Sequence, residues 1–230
     1  MSILNNFFFY FLIFIIYSFV GWCVEIIYVY YDEDKLVNRG FLVGPYCPIY
    51  GVASLLMIYL LTRYMKDVEV VFVMAVILCT AAEYLTSLIM EKMFNTRWWD
   101  YSNKKFNLNG RICLKISIAF GLLGTLLLYV IHPFVLSVLS KFSTLSLTIA
   151  SVIIFIIFIV DLCLSFNIIS KLEFTQVKMN FDNTENISKK VRDTLSKKSI
   201  LMKRLINAFP DFKTVNLDKI KFRLKKKEKK

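Results

Sequence analysis

Glu83, Ser87 and Glu91 recur at intervals of four residues. On a helix that spacing stacks them on one face. Thr80 and Thr86 fall near the same face. Two carboxylates in such a row can form a proton or cation path, work as an acid/base pair, or anchor arginines. They can equally lock helix packing, with Glu83 neutral or ion-paired. The surrounding sequence is apolar, which sharpens the choice. A charge at the centre of a membrane helix costs about 2.5–3.5 kcal/mol on insertion scales, so such residues face the bundle interior and pair. Glu25 and Asp161 sit in apolar runs of the same kind.

The complementary groups are Arg39, Arg97, Arg111 and Lys115. Arg111 and Lys115 are four apart and share a helical face. Arginine forks suit carboxylates and phosphates alike. One reading pairs these cations with Glu25, Glu91 and Asp100 in an ion network. The other leaves surplus positive charge for an anionic head group.

Residues 95–117 read "NTRWWDYSNKKFNLNGRICLKIS". A plain tether between two apolar runs needs none of that chemistry. Trp98, Trp99 and Tyr101 suit a membrane interface, where aromatic residues collect. Asn107, Asn109 and Gly110 suggest a turn before Arg111. Trp99, Asp100, Tyr101, Asn107 and Asn109 can also cap a polar site.

Five apolar segments must position these residues: 6–31, 41–64, 69–94, 112–138 and 145–169. About 20 apolar residues cross a bilayer as a helix. The second segment opens with Gly44, Pro45, Pro48 and Gly51, which predicts a bent or non-helical beginning. His132-Pro133 marks a kink or end in the fourth. Ser117, Gly121 and Gly124 suggest close helix packing there. The first apolar run lacks a basic leader and a cleavage motif, so it reads as a retained helix.

Loop charge gives direction. Lys35, Arg39, Lys92, Arg97, Lys104, Lys105, Arg111 and Lys115 fall on one side, with the basic tail. Arg63, Lys66 and Lys141 fall on the other. The basic side is expected to be cytoplasmic, with the N-terminus outside and the C-terminus inside. The expected fold is all-α: a polytopic membrane bundle of about five helices in the cell membrane, its main motifs on the cytoplasmic side.

The chain is 57% hydrophobic, above the roughly 45–50% of soluble domains. Its net charge of +12 lies almost wholly in residues 171–230, which hold 18 Lys/Arg and 7 Asp/Glu. The division is thus a bundle at 1–170 and a basic cytoplasmic tail at 171–230. A candidate amphipathic helix at 187–209 would suit anionic lipid; a solvated tail that helps fix topology is the other reading. No nucleic-acid partner is expected.

Cys23, Cys47, Cys79, Cys113 and Cys163 are scattered singly, so neither a disulfide framework nor a metal site is expected. His132, the lone histidine, gives little basis for a metal or a catalytic base. Without GxxxxGK[ST] or GxGxxG, the chain is not expected to bind ATP itself, and no cofactor is expected.

"SFVGWCVEIIY", "NRGFLVGPYCPIYG", "EYLTSLIMEKMF", "WWDYSNKKFNLNGRICLKIS" and "FGLLG" occur in this order. Together they resemble the CmpB-like ABC-transporter permease family of bacterial membrane proteins. The resemblance spans roughly residues 7–130 and thins towards 170. Matching positions include Gly21, Trp22, Glu25, Tyr50, Glu83, Glu91, Tyr101 and Arg111. Phe120 stands where the family often has tryptophan. The resemblance implies a small multi-span protein partnered by a separate ATPase.

Three functions compete. The first is a permease-like component with a polar ligand site near the cytoplasmic face; so small a pore would call for a homodimer. The second is a membrane-embedded enzyme acting on a lipid or lipid-linked phosphate. The third is a non-catalytic anchor or sensor working through its basic tail. No residue is assigned a catalytic role.

Overall fold

The computed structural model describes residues 3–33, 38, 40–94, 96–179, 204 and 213–214. Six helices lie within these residues: α1 (Ile3–Glu33), α2 (Pro48–Leu61), α3 (Val68–Phe94), α4 (Leu114–Leu126), α5 (His132–Leu139) and α6 (Thr144–Met179). Four short strands are β1 (Thr96–Arg97), β2 (Asn107–Leu108), β3 (Ile112–Cys113) and β4 (Lys213–Thr214). Apart from β4, which pairs antiparallel with β1, and Arg204, the expected tail helix at 187–209 lies outside the described residues.

Among the described residues, four stretches are long and apolar enough to cross a membrane: Asn6–Tyr31, Val68–Phe94, Leu114–Leu139 and Thr144–Ile168. Their outward faces carry large apolar side chains, such as Ile77, Leu122, Ile153 and Ile156. Small polar residues point inwards instead. Ser18, Ser54, Ser87, Ser117, Ser151 and Ser165 are all buried. Such small side chains let helices approach closely where lipid gives no hydrophobic drive between them. An alanine Cβ at Gly121 would overlap Val76, and at Gly124 it would lie 2.6 Å from Met57 Sδ.

The second passage differs from a plain span over 41–64. Only Pro48–Leu61 is α-helical, followed by a 3₁₀ turn at Thr62–Tyr64. Fourteen residues make about 21 Å of helix, short of a hydrocarbon core of about 30 Å. The Cys47 amide donates to the Ser18 carbonyl at 2.9 Å, so α2 starts beside the middle of α1. Residues 40–47 form the other half as irregular chain. Pro48 stands in the first turn of α2, where its missing N–H costs nothing.

Helix direction follows from the contacts. Phe8, Phe11 and Phe14 of α1 meet Ser151, Phe155 and Phe158 of α6 in rising order, so these helices run parallel. Three passages therefore separate them, and the irregular stretch with α2 is one. The core lies where α1, α2, α3 and the α4 segment meet, around Tyr17, Met57, Leu61, Ala75 and Leu128.

His132-Pro133 does not end the fourth passage. A π-helical turn at Leu127–Ile131 precedes it, and the chain continues helical to Leu139. A widened turn relieves the clash that proline otherwise causes. His132 is not isolated either: its Nδ1 lies 2.6 Å from the Tyr17 hydroxyl.

Candidate functional site

The stretch between α3 and α4 is knotted by hydrogen bonds. β2 and β3 pair antiparallel, Asn107 with Cys113 and Leu108 with Ile112. The turn needs left-handed backbone at Asn109 (φ 54°) and Gly110 (φ 66°). Asparagine and glycine supply it at least cost. Asn107 donates to the carbonyls of Ser102 and Lys104 and accepts from the Gly110 amide. Asp100 accepts the Ser102 amide at 3.0 Å and its hydroxyl at 2.5 Å. Trp99 Nε1 donates to the Arg111 carbonyl at 3.0 Å. Asn109 Nδ2 reaches the Tyr84 hydroxyl. Trp98 does not face lipid; it is buried against Phe41 and Phe94.

This knot fixes Tyr101. Its amide donates to the Gly110 carbonyl at 2.7 Å. Its hydroxyl lies beside the Glu83 carboxyl group. Burial first, and then the carboxylates of Glu83 and Glu25, hold the phenol above the ordinary tyrosine range. It therefore stays protonated and remains a donor.

The acidic face of α3 divides in two. Arg111 Nη2 lies 2.9 Å from Glu91 Oε2, and Nη1 donates to Ser87 Oγ at 3.0 Å. Arg97 Nε lies 3.2 Å from the same Glu91 oxygen, and its Nη1 is 3.9 Å from Asp100. Arg111 also lies 5.8 Å over the Tyr84 ring. Two arginines thus face two carboxylates. Deeper in the bundle, Glu83 is buried, and no ion pair reaches it among the described residues.

Glu25 approaches from α1. It accepts the Tyr50 hydroxyl of α2 at 2.5 Å. Gly21 makes this possible, because a Cβ there would overlap the Tyr50 side chain. Glu25 lies one turn further along the same face of α1. Phe120 packs edge-on to the Tyr50 ring, with centroids 5.8 Å apart. Glu25 and Glu83 both act electrostatically on Tyr50 and on Tyr101. In the sequence, Tyr50 stands out only as a family motif position, without a chemical role. Its place beside Gly51 in "PYCPIYG" was the available signal.

Asp161 stands apart from this group. It accepts the amides of Val43 at 3.0 Å and Gly44 at 2.8 Å, and the hydroxyls of Tyr46 and Ser165. Arg204 donates to the carbonyls of Gly40, Leu42 and Val43. Both side chains satisfy the irregular half of the second passage, which lipid cannot. Gly44 lets the Tyr46 ring fold back, since a Cβ there would lie 2.5 Å from it. Gly51 admits Ser18 and Phe14. Pro45 is exposed at this bend. Lys115 is exposed, and Arg39 lies outside the described residues.

The structure thus brings Glu25 and Glu83 together with Tyr50 and Tyr101, and gathers Glu91, Arg97, Asp100 and Arg111 beside them. No curated protein and no solved structure matches the chain. Residues 12–166 match the model of the family described as "Putative ABC-transporter type IV". That stretch holds both the bundle and the acidic group, and the chain belongs to this CmpB family of ABC-transporter type proteins.

Proposed function

We propose that this chain is the membrane-spanning, permease-like component of an ABC-type transporter, with its ligand site at Glu25, Tyr50, Glu83 and Tyr101. One observation carries the reading. A carboxylate is buried among helices long enough to cross a membrane, yet no arginine or lysine pairs with it among the described residues. A carboxylate kept only for packing would be expected to have a charged partner, as Glu91 has. The family supports the transport setting and a separate ATPase as partner.

The basic loop residues Lys92, Lys104, Lys105 and Lys115 support a cytoplasmic position for this end of the bundle. Segment 96–113 would then present its polar face to the ATPase. The site would be reached past α1, where Glu25 and Tyr50 are only half-buried. A second copy of the chain would complete a transport path that one small bundle leaves narrow. Arg97 and Arg111 are matched by Glu91 and Asp100, an arrangement suited to an internal ion network more than to a phosphate cradle.

Affinity purification of the full-length protein in mild detergent, with mass spectrometry of what co-elutes, tests the proposal. A stoichiometric ATPase is the expected result. Repeated purification without one would remove the transporter reading.

A further inference from the structure

Glu83 is 5% exposed, and its Oε2 has no hydrogen-bond partner among the described residues. Thr80 Oγ1, three residues earlier on the same side of α3, is likewise buried and unpartnered. Buried polar atoms within a bundle are normally satisfied, and an orphaned one marks a place where something else belongs.

The surroundings say what kind of group fits. The Tyr50 hydroxyl donates a hydrogen bond to Glu25, and the Tyr101 hydroxyl lies beside Glu83. What remains facing inwards is a set of oxygen acceptors, two of them carboxyl groups. No described ion pair reaches either glutamate; the arginines stop at Ser87 and Glu91. Two neighbouring carboxylates repel each other in a medium of low dielectric. A cation between them relieves both that repulsion and the orphaned oxygen, whereas an anion would add to the repulsion.

Resting on the transporter reading above, we propose that Glu25, Glu83, Tyr50 and Tyr101 bind a compact monovalent cation: an alkali-metal ion or the protonated amine of a solute. Among the described residues no three His, Cys, Asp or Glu side chains group as a transition-metal or calcium site requires. Two carboxylates and two phenols on four separate segments suit a single charge coordinated by hard oxygens.

The test is thermal unfolding of the full-length protein in mild detergent. Sodium, potassium or methylammonium chloride is titrated, each against N-methylglucamine chloride at equal ionic strength. At least one cation should raise the melting temperature saturably. Glu83→Gln should weaken that midpoint by about tenfold or more, a loss of roughly one charge-assisted contact. Tyr101→Phe should weaken it less, and Glu69→Gln, exposed at the start of α3, should leave it unchanged. Saturation by sodium or potassium identifies an alkali ion; saturation by methylammonium alone identifies an amine. No saturable response, or one unchanged in Glu83→Gln, overturns the site. If Glu83→Gln does not fold, Tyr101→Phe carries the test, since it keeps the ring. Cation binding without an ATPase partner would keep this site and remove the transporter reading; an ATPase partner without cation binding would do the reverse.

Discussion

The hydroxyl of Tyr101 lies beside the carboxylate of Glu83, bringing the segment between α3 and α4 against the buried face of α3. That placement ties Tyr101 to the interior, with Trp98 and residues 110–113 buried, while residues 102–109 stay exposed. Everything around Tyr101 holds it there: the β2–β3 turn, the Asp100 and Asn107 side-chain bonds, and the Trp99 bond to Arg111.

Asp161 is predicted to hold the irregular half of the second passage. Asp161→Ala leaves the Gly44 amide without its acceptor, while Val43 keeps Ser165 Oγ at 3.1 Å. An orphaned buried donor costs about 1–3 kcal/mol. Thermal unfolding in detergent should show that loss, with faster proteolysis within 40–47. Asp161→Asn, which retains one acceptor oxygen, should lose less.

Gly21→Ala should damage both packing and the Tyr50–Glu25 bond, because the new Cβ meets the Tyr50 ring. Overpacking of this kind costs about 1–3 kcal/mol. The melting temperature should fall. Removing the Tyr50 hydroxyl in the same background should then cost less than it does in the unaltered protein. An equal cost in both would show that the ring had not moved.

These two positions show how unevenly the sequence speaks. The long spans are legible because apolar runs of helical length need no knowledge of their partners. Gly44, Pro45, Pro48 and Gly51 announce a break, and α2 does begin at Pro48. The depth of that break depends on Ser18 accepting the Cys47 amide. Asp161 reads as one more intramembrane acid, because Val43, Gly44 and Tyr46, which it holds, lie more than a hundred residues away. Spacing alone puts Glu83, Ser87 and Glu91 in one class; only the reach of Arg111 separates them. Trp98 suits an interface by type, yet it fills the gap beside Phe41 and Phe94.

Arg111→Lys should not behave as a conservative change. Arg111 bonds Ser87 and Glu91 through different nitrogens while lying over Tyr84. A single ammonium cannot hold that planar arrangement. The expected loss is about 1–3 kcal/mol, the usual cost of a buried partner left unmet. Glu91→Gln, which strips both arginines of their shared carboxylate, should cost at least as much in the same unfolding assay.

Orientation is open to cysteine labelling. Lys104 and Lys66 are exposed in the two opposing sets of loops. Lys104→Cys should react with an impermeant thiol reagent only after cells are opened. Lys66→Cys should react in intact cells. The reverse pattern would invert the proposed sidedness.

The most direct check on the account is a double-mutant cycle between Tyr101 and Glu83, read by thermal unfolding of the wild type, Tyr101→Phe, Glu83→Gln and the double variant. Residues in one hydrogen-bonded network couple by about 0.5–3 kcal/mol, and the account predicts coupling in that range. Additivity within about 0.3–0.5 kcal/mol would mean that the two side chains do not act together, and the buried site would lose its foundation.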